Sequence, residues 1–358
     1  AYQMLESQGR IVARPQSGYY VASRPTAQQP APPAQVMRDE VVDINTYIFD
    51  VLQASRDPSV VPFASAFPDP RLFPLQQLNR SLANVSKTAT AMSVIENLPP
   101  GNVDLRHAIA RRYAQQGMNI SPEEIVITAG ALEALNLSLQ AVTEPGDWVI
   151  VENPCFYGAL QALERLKLKA LSIATDVREG IGRNALEQAL NDYPVKACWL
   201  MTNSQNPLGF TLSAEKKALL VALLTKHNVT LIEDDVYSEL YFGRDKPLPA
   251  KAWDRQDMPL HCSSFSKCLV AGFRVGWVAA GKHAQRIQRL QLMSTLSTSA
   301  PMQQALATYL GTRSYDLHLR RLRQQLEQRK NLALLSLKRH LPAGARIHES
   351  RGGYFLWI

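Results

Sequence analysis

Cysteine is scarce in this chain and has no pairing pattern. The four present, Cys155, Cys198, Cys262 and Cys268, form no CxxC pair and no metal-ligand spacing, which argues against a disulfide framework and a spaced zinc site. The seven histidines make no HExxH cluster, so no metal centre is expected. No apolar run is long enough to cross a bilayer, and no signal-peptide pattern opens the chain. These absences predict reduced thiols in a cytoplasmic protein. Acid is the minority charge: 39 basic residues against 31 acidic give +8. A phosphate or nucleic-acid partner and a plain solvated basic surface explain that excess equally well.

What remains is ordinary for an enzyme-sized globular chain. The 358 residues are 46% hydrophobic and 20% charged, enough for two subdomains. The chain opens on Ala1, which reads as lying inside a helix, and stops in Gly353 to Ile358, which reads as a strand cut short. Both features predict a fragment.

In order, Tyr2 to Gln8 reads as the last turns of a helix, with Gly9 as a stop. Arg10 to Ala13 and Tyr19 to Ala22 are β-like runs, and Arg14 to Gly18 between them has hairpin-loop chemistry. Arg14, Gln16 and Ser17 at the tip are candidate contacts to DNA phosphates or minor-groove edges; the plainer alternative is a terminal hairpin. Ser23 to Val36 is rich in proline, alanine and glutamine with nothing to bury, an extended linker between separately folded parts. Helical spacing follows over Val42 to Ala54, Leu75 to Val85 and Asp104 to Gln116. From Ile125 strands and helices alternate, the pattern of an α/β domain with a mostly parallel sheet. Asp316 to Leu341 is a long helix whose arginines read as a solvated face.

The most informative stretch is Ser263 to Trp277. Lys267 has no acidic neighbours there and is bracketed by serines and apolar residues. A desolvated lysine has a lowered pKa and becomes a usable amine nucleophile, able to form a Schiff base with an aldehyde. Arg274 offers a planar fork for a phosphate, and Ser264 and Ser266 add hydroxyl donors. Amine, hydroxyls and fork suit an aldehyde carrying a phosphate, which is pyridoxal 5′-phosphate (PLP). The bland reading is a buried lysine satisfied by backbone carbonyls.

Further candidates follow the carboxyl ends of predicted strands, the edge where open α/β sheets bind ligands. Asp234 ends an apolar strand and needs a partner for its charge; a protonated pyridine nitrogen is one. Tyr237 can donate to the ring's phenolate oxygen, and Asn206 can hold that oxygen from the other side. Gly130, Ala131 and Leu132 open a helix whose free amides and dipole favour phosphate. Phe156 can stack on the ring. A helix cap, a turn residue and a core aromatic are the respective alternatives for Asp234, Asn206 and Phe156.

Three motifs carry a resemblance: Asn206 to Gly209 as NPxG, Asp234 to Tyr237 as D-x-x-Y, and Ser264 to Arg274 as SxSK with its downstream arginine. In these the chain resembles fold-type I PLP-dependent transferases of the aspartate aminotransferase class. Its first twenty or so residues resemble the end of a GntR-type winged helix-turn-helix. The order of parts is similar to the MocR subfamily of GntR transcription regulators, and implies residues 1–23 as a winged-helix remnant, 24–40 as linker and 41–358 as an aminotransferase-like domain. The resemblance implies a homodimer, an amino-acid or amine effector sensed at the PLP, and DNA binding by the full-length protein. Three departures stand out. Ala271 replaces a usual proline. Glu96 stands where many relatives carry a tyrosine that reaches the partner's cofactor phosphate. The chain ends before the arginine that grips a substrate carboxylate. The rival reading is a true aminotransferase, exchanging an amino group between an amino acid and a 2-oxo acid. A third is a structural protein in which the PLP fold is silent.

Overall fold

The computed structural model describes residues 2–7, 10–21, 38–40, 45–54, 57, 59–61, 69–90 and 98–358. The expected linker from Ser23 to Val36 and the Glu96 position lie outside them. At the N-terminus, α1 (Tyr2–Ser7) leads into a hairpin of β1 (Ile11–Arg14) and β2 (Gly18–Val21), paired antiparallel with Arg14 opposite Gly18. Tyr2 stacks on Tyr19 at 4.8 Å, so the helix and hairpin are held together by an aromatic pair rather than a core. β3 (Arg38–Glu40), α2 (Asn45–Ala54), α3 (Leu75–Thr88) and α4 (Val103–Ala114) follow. Asn102 caps α4 by accepting from the Leu105 amide at 2.9 Å.

The alternation expected after Ile125 is present. β4 (Ile125–Thr128) precedes α5 (Ala131–Val142), and β5 (Trp148–Asn153) precedes α6 (Tyr157–Arg165). β6 (Lys169–Asp176), the short β7 (Gly180–Ile181) and α7 (Arg183–Asp192) come next. Then come β8 (Val195–Leu200), α8 (Ala214–Lys226), β9 (Thr230–Asp234), β10 (Leu260–Ser264) and β11 (Gly276–Ala279). The chain closes with α9 (Ala284–Ser294), α10 (Ala300–Leu310) and α11 (Ser314–His340). The main sheet has the order β3-β6-β5-β8-β9-β10-β11-β4. Its centre, β6-β5-β8-β9-β10, is parallel, and β11 runs against both β10 and β4. Central strands are apolar on both faces because helices cover both: Val149, Ile150 and Val151 of β5 are wholly buried.

Two expectations change. Gly353 to Ile358 forms no continuous strand: within it Trp357 makes an isolated bridge with His348, and the preceding Gly352 makes one with Tyr241. Nor are the basic residues of α11 all solvated. Arg320, Arg321 and Arg329 are exposed, the last pairing with Asp69 at 2.9 Å, but Arg323 is half-buried and donates to the Glu239 carbonyl at 3.2 Å.

One close approach sets the geometry of the site. A Cβ at Gly276 would lie 2.5 Å from the Gly130 carbonyl carbon, 2.7 Å from the Ala131 nitrogen and 2.8 Å from the Ser263 oxygen. All three are backbone atoms and cannot rotate away. Gly276→Ala is therefore expected to force β11 from the start of α5 and lower stability by about 1–3 kcal/mol; a denaturant midpoint equal to wild type would refute this.

Candidate active site

The carboxyl ends of β4, β5, β8, β9 and β10 lie along one edge, and the residues singled out from the sequence gather there. β9 is the clearest case. Its alternation sends Asp234 to one face and Glu233 and Asp235 to the other. Glu233 is taken up by Thr202, by the Ala250 amide at 2.6 Å and by the Lys251 amide at 3.1 Å. Asp235 accepts from His261 Nε2 at 2.9 Å and Asn203 Nδ2 at 3.0 Å. Asp234, by contrast, has a fully buried Oδ1 with no hydrogen-bond partner among the described residues. Burial, followed by the negative charge of Asp235, pushes the Asp234 carboxyl up to about 7, while the Val236 amide, the Lys267 ammonium and the nearby Trp199 indole draw it back down. A buried acceptor without a donor is costly, and a cationic ring nitrogen would satisfy it.

Lys267 is near enough to Asp234 for each to shift the other's pKa. Its Nζ is 5.8 Å from the Tyr237 ring centroid. Burial lowers its pKa, Asp234 raises it and Arg274 lowers it again. Tyr237 is buried, its pKa raised first by desolvation and drawn back down by the nearby Asn206 side chain. Asn206 sits in a cis Asn206-Pro207 turn beyond β8. These four groups can serve the two polar ends of a pyridine ring bearing a phenolic oxygen. Phe156 caps α6 at the same edge and packs with the apolar cluster that includes Tyr237 and Met201.

The phosphate end is defined by Gly130, which begins α5 at φ +88°. The Arg274 guanidinium fills the space where a Cβ would stand, its Nη2 only 2.4 Å from that point. It donates to the Ala129 carbonyl at 3.2 Å and approaches Ser266 Oγ at 3.5 Å. The first-turn amides of α5, including Ala131 and Leu132, have no intrahelical acceptor. Arginine, hydroxyl and helix-start amides thus lie together at the beginning of α5, a setting that favours an anion. The two serines part company here. Ser266 lies beside Arg274, whereas Ser264 Oγ accepts from the Ser266 amide at 3.3 Å and helps line a cavity of about 40 Å³ behind the turn. Orphaned acid, phosphate cradle and desolvated lysine together fit PLP.

Sequence reasoning overlooked the groups behind the crevice. His261 Nδ1 lies 2.6 Å from the Tyr113 hydroxyl, which accepts from Trp277 Nε1 at 2.9 Å. If Tyr113 donates to Nδ1, the imidazole is neutral with its proton on Nε2, facing Asp235, and every group is satisfied. Lys217, almost wholly buried, reaches the same carboxylate through Asn203 Oδ1 at 2.6 Å. His261 had no local signal, because its partners are Tyr113 on α4 and Asp235 just past β9. The wing-like hairpin is independent of all this: Arg14 lies over the Tyr20 ring at 4.9 Å, Ser17 Oγ is 2.5 Å from the Tyr20 hydroxyl, and Gln16 adopts φ +60°.

A mostly parallel sheet with lysine, aspartate, tyrosine and arginine gathered at its carboxyl edge defines the fold-type I class of PLP-dependent transferases. The profile of the family "Aminotransferase class I and II" matches residues 74–358. The chain is 79% identical over its whole length, and over 76% of the relative, to the HTH-type transcriptional regulator YdcR of Escherichia coli (strain K12). It is 36% identical to YjiR of the same organism, named likewise as an HTH-type regulator, again over the whole chain and 76% of the relative. Among solved structures, LysN, the α-aminoadipate aminotransferase of Thermus thermophilus complexed with N-(5′-phosphopyridoxyl)-L-leucine, superposes with a TM-score of 0.76 at 26% identity, covering 82% of this chain and 75% of that one. The chain belongs to the class I and II aminotransferase family and, within it, to the MocR-type HTH regulators; PLP is the cofactor of that family. Among the described residues no helix is long and apolar enough to cross a membrane.

Proposed function

We propose that this chain is the sensing part of a PLP-dependent transcription regulator, in which an amino-acid or amine effector meets the cofactor and a homodimer carries the signal to DNA. The observation that supports it most is the joining of two dissimilar parts. An exposed hairpin with a basic tip stands ahead of a domain that carries a full set of groups for handling the cofactor ring. The relatives at 79% and 36% identity bear regulator names over matching lengths. In this reading Lys267 presents its amine to the cofactor aldehyde, Asp234 faces the ring nitrogen, and Tyr237 with Asn206 holds the phenolic oxygen. Arg274, Ser266 and the amides of Ala131 and Leu132 take the phosphate, with Gly130, whose own amide donates to the Thr128 carbonyl at 2.8 Å, shaping the turn; Phe156 covers the ring, and Ser264 supports the turn from behind. Bound PLP supplies an electron-withdrawing ring that makes the bonds of an attached amine labile. Arg14, Gln16 and Ser17 form the wing tip, and residues 41–358 supply the dimer.

The described N-terminal part has one short helix and a hairpin, whereas specific readout of the major groove needs a recognition helix. Wing contacts go mainly to phosphate and are salt-sensitive and sequence-blind. The expected gel-shift result is therefore weak, unselective binding by the chain of 358 residues that fades as salt is raised. A full-length protein with the rest of the winged helix is expected to bind one operator as a dimer. Tight, sequence-selective binding by the shorter chain would overturn this division of labour.

The complete ring-handling set favours a second reading, a working aminotransferase. Robust turnover of an amino acid with a 2-oxo acid, together with no operator binding by the full-length protein, would decide for the enzyme.

A further inference from the structure

The turn that carries Lys267 closes on itself through a single acceptor: the Phe265 carbonyl takes the amides of both Leu269 and Val270 at 2.9 Å. The carbonyls of Lys267 and Cys268 are met from elsewhere in the chain. The Tyr354 hydroxyl donates to the Lys267 carbonyl at 2.5 Å. His318 Nε2 on α11 lies 2.7 Å from the Cys268 carbonyl. A carbonyl only accepts, so the His318 proton sits on Nε2. Both donors persist at neutral pH: burial lowers the His318 pKa and raises that of the Tyr354 phenol. Tyr354 also touches a second site residue. Its ring meets Tyr237 edge-on at 6.1 Å, and the neighbouring Phe355 meets Tyr237 at 5.3 Å.

We propose that Tyr354 and His318 are positioning residues that clamp the backbone on the carboxyl side of the lysine and so set where its amine stands relative to the cofactor. The inference rests on the assignment of Lys267 above. Its chemistry is simple. Two short hydrogen bonds to adjacent carbonyls fix the peptide plane between Lys267 and Cys268 and the one after it. The side chain leaves that backbone toward a site whose charged and titratable neighbours are Asp234, Arg274 and Tyr237. Neither clamp is among the groups assigned to the cofactor above. Both come from the carboxyl-terminal part of the chain, so a movement of α11 or of the segment around Tyr354 reaches the amine through two bonds.

Tyr354→Phe keeps the ring and its packing and removes only the donor. His318→Leu removes the other donor, and His318→Gln keeps an N–H. Each purified protein is titrated with PLP, and the absorbance of the loaded protein is followed against pH. Tyr354→Phe and His318→Leu are expected to weaken PLP binding about 2- to 10-fold, the scale of one lost hydrogen bond, and to displace the pH of the spectral transition. His318→Gln is expected to recover most of both. A purely structural role would lower the melting temperature and leave the spectral transition in place. Wild-type PLP affinity and an unmoved transition in both donor-less variants would overturn the proposal. The Lys267 assignment fails separately, if Lys267→Ala keeps a borohydride-reducible band in a protein with both clamps intact.

Discussion

Replacing Lys267 by alanine is expected to abolish the borohydride-reducible link between this chain and PLP. The wild-type protein should be yellow, should lose that colour on reduction, and should then carry the added mass on the peptide containing Lys267. Most lysines stay in water. This one has a pKa lowered first by desolvation, and it faces the carboxylate of Asp234. A lowered pKa supplies the neutral amine that attacks an aldehyde. Lys217 is the internal control. It is almost wholly buried, but its ammonium is engaged by Asn203 and the Leu248 carbonyl, away from Asp234. Lys217→Ala should leave the reducible band on the Lys267 peptide. An unchanged band in the Lys267→Ala protein would remove the central residue from the site.

The second large effect is expected at Asp234, where one substitution should have opposite consequences in the apo and loaded protein. The carboxyl rises from the ordinary 3.8 to about 7 on folding, chiefly by burial. Between those values the folded protein binds more protons than the unfolded chain, so stability falls as pH rises through that window and stays reduced above it. Asp234→Asn removes the charge that burial disfavours. The apo variant should therefore be more stable than apo wild type at pH 8, on the order of a few kcal/mol, with the difference vanishing toward pH 4. With the proposed pairing of this carboxylate to the ring nitrogen, the variant should bind PLP about 10- to 100-fold more weakly, the scale of a hydrogen bond to a charged group. Denaturation of apo protein across the pH range, with PLP titration at pH 8, checks both halves. Equal PLP affinity in variant and wild type would end the role proposed for Asp234.

Much of this site was legible in the sequence because its residues sit at strand ends, and strand ends are marked locally. Thr128 to Gly130, Asp234 to Tyr237 and Ser264 to Lys267 each break an apolar run with small or charged residues. The alternation of strands and helices was legible for the same reason. Elements without site chemistry, such as β6, α7 and α8, escape that kind of reading, although their apolar spacing is present. What could not be read was pairing at long range. Nothing local to Tyr354 or His318 says that each will meet a carbonyl at or beside Lys267. Nothing in the SxSK motif distinguishes Ser266, beside Arg274, from Ser264, turned back into the turn. Those outcomes depend on tertiary packing, which sequence periodicity does not encode.

The direction of β11 has a consequence for what evolution and engineering can alter here. Because β11 runs against β10, with Ser264 opposite Gly276, the chain leaves the sheet and re-enters it at the same rim. The amine of Lys267 and the guanidinium of Arg274 therefore ride on one return loop, residues 265–275. In the roles proposed for them, the span between the Lys267 amine and the Arg274 guanidinium is bounded by the length of this loop, which Tyr354, His318 and Thr298 tether through the carbonyls of Lys267, Cys268 and Arg274. With the roles proposed for Lys267 and Arg274, this loop acts as a gauge block cut to the cofactor, and variation among descendants of this scaffold should enter by residue exchange within it rather than by insertion.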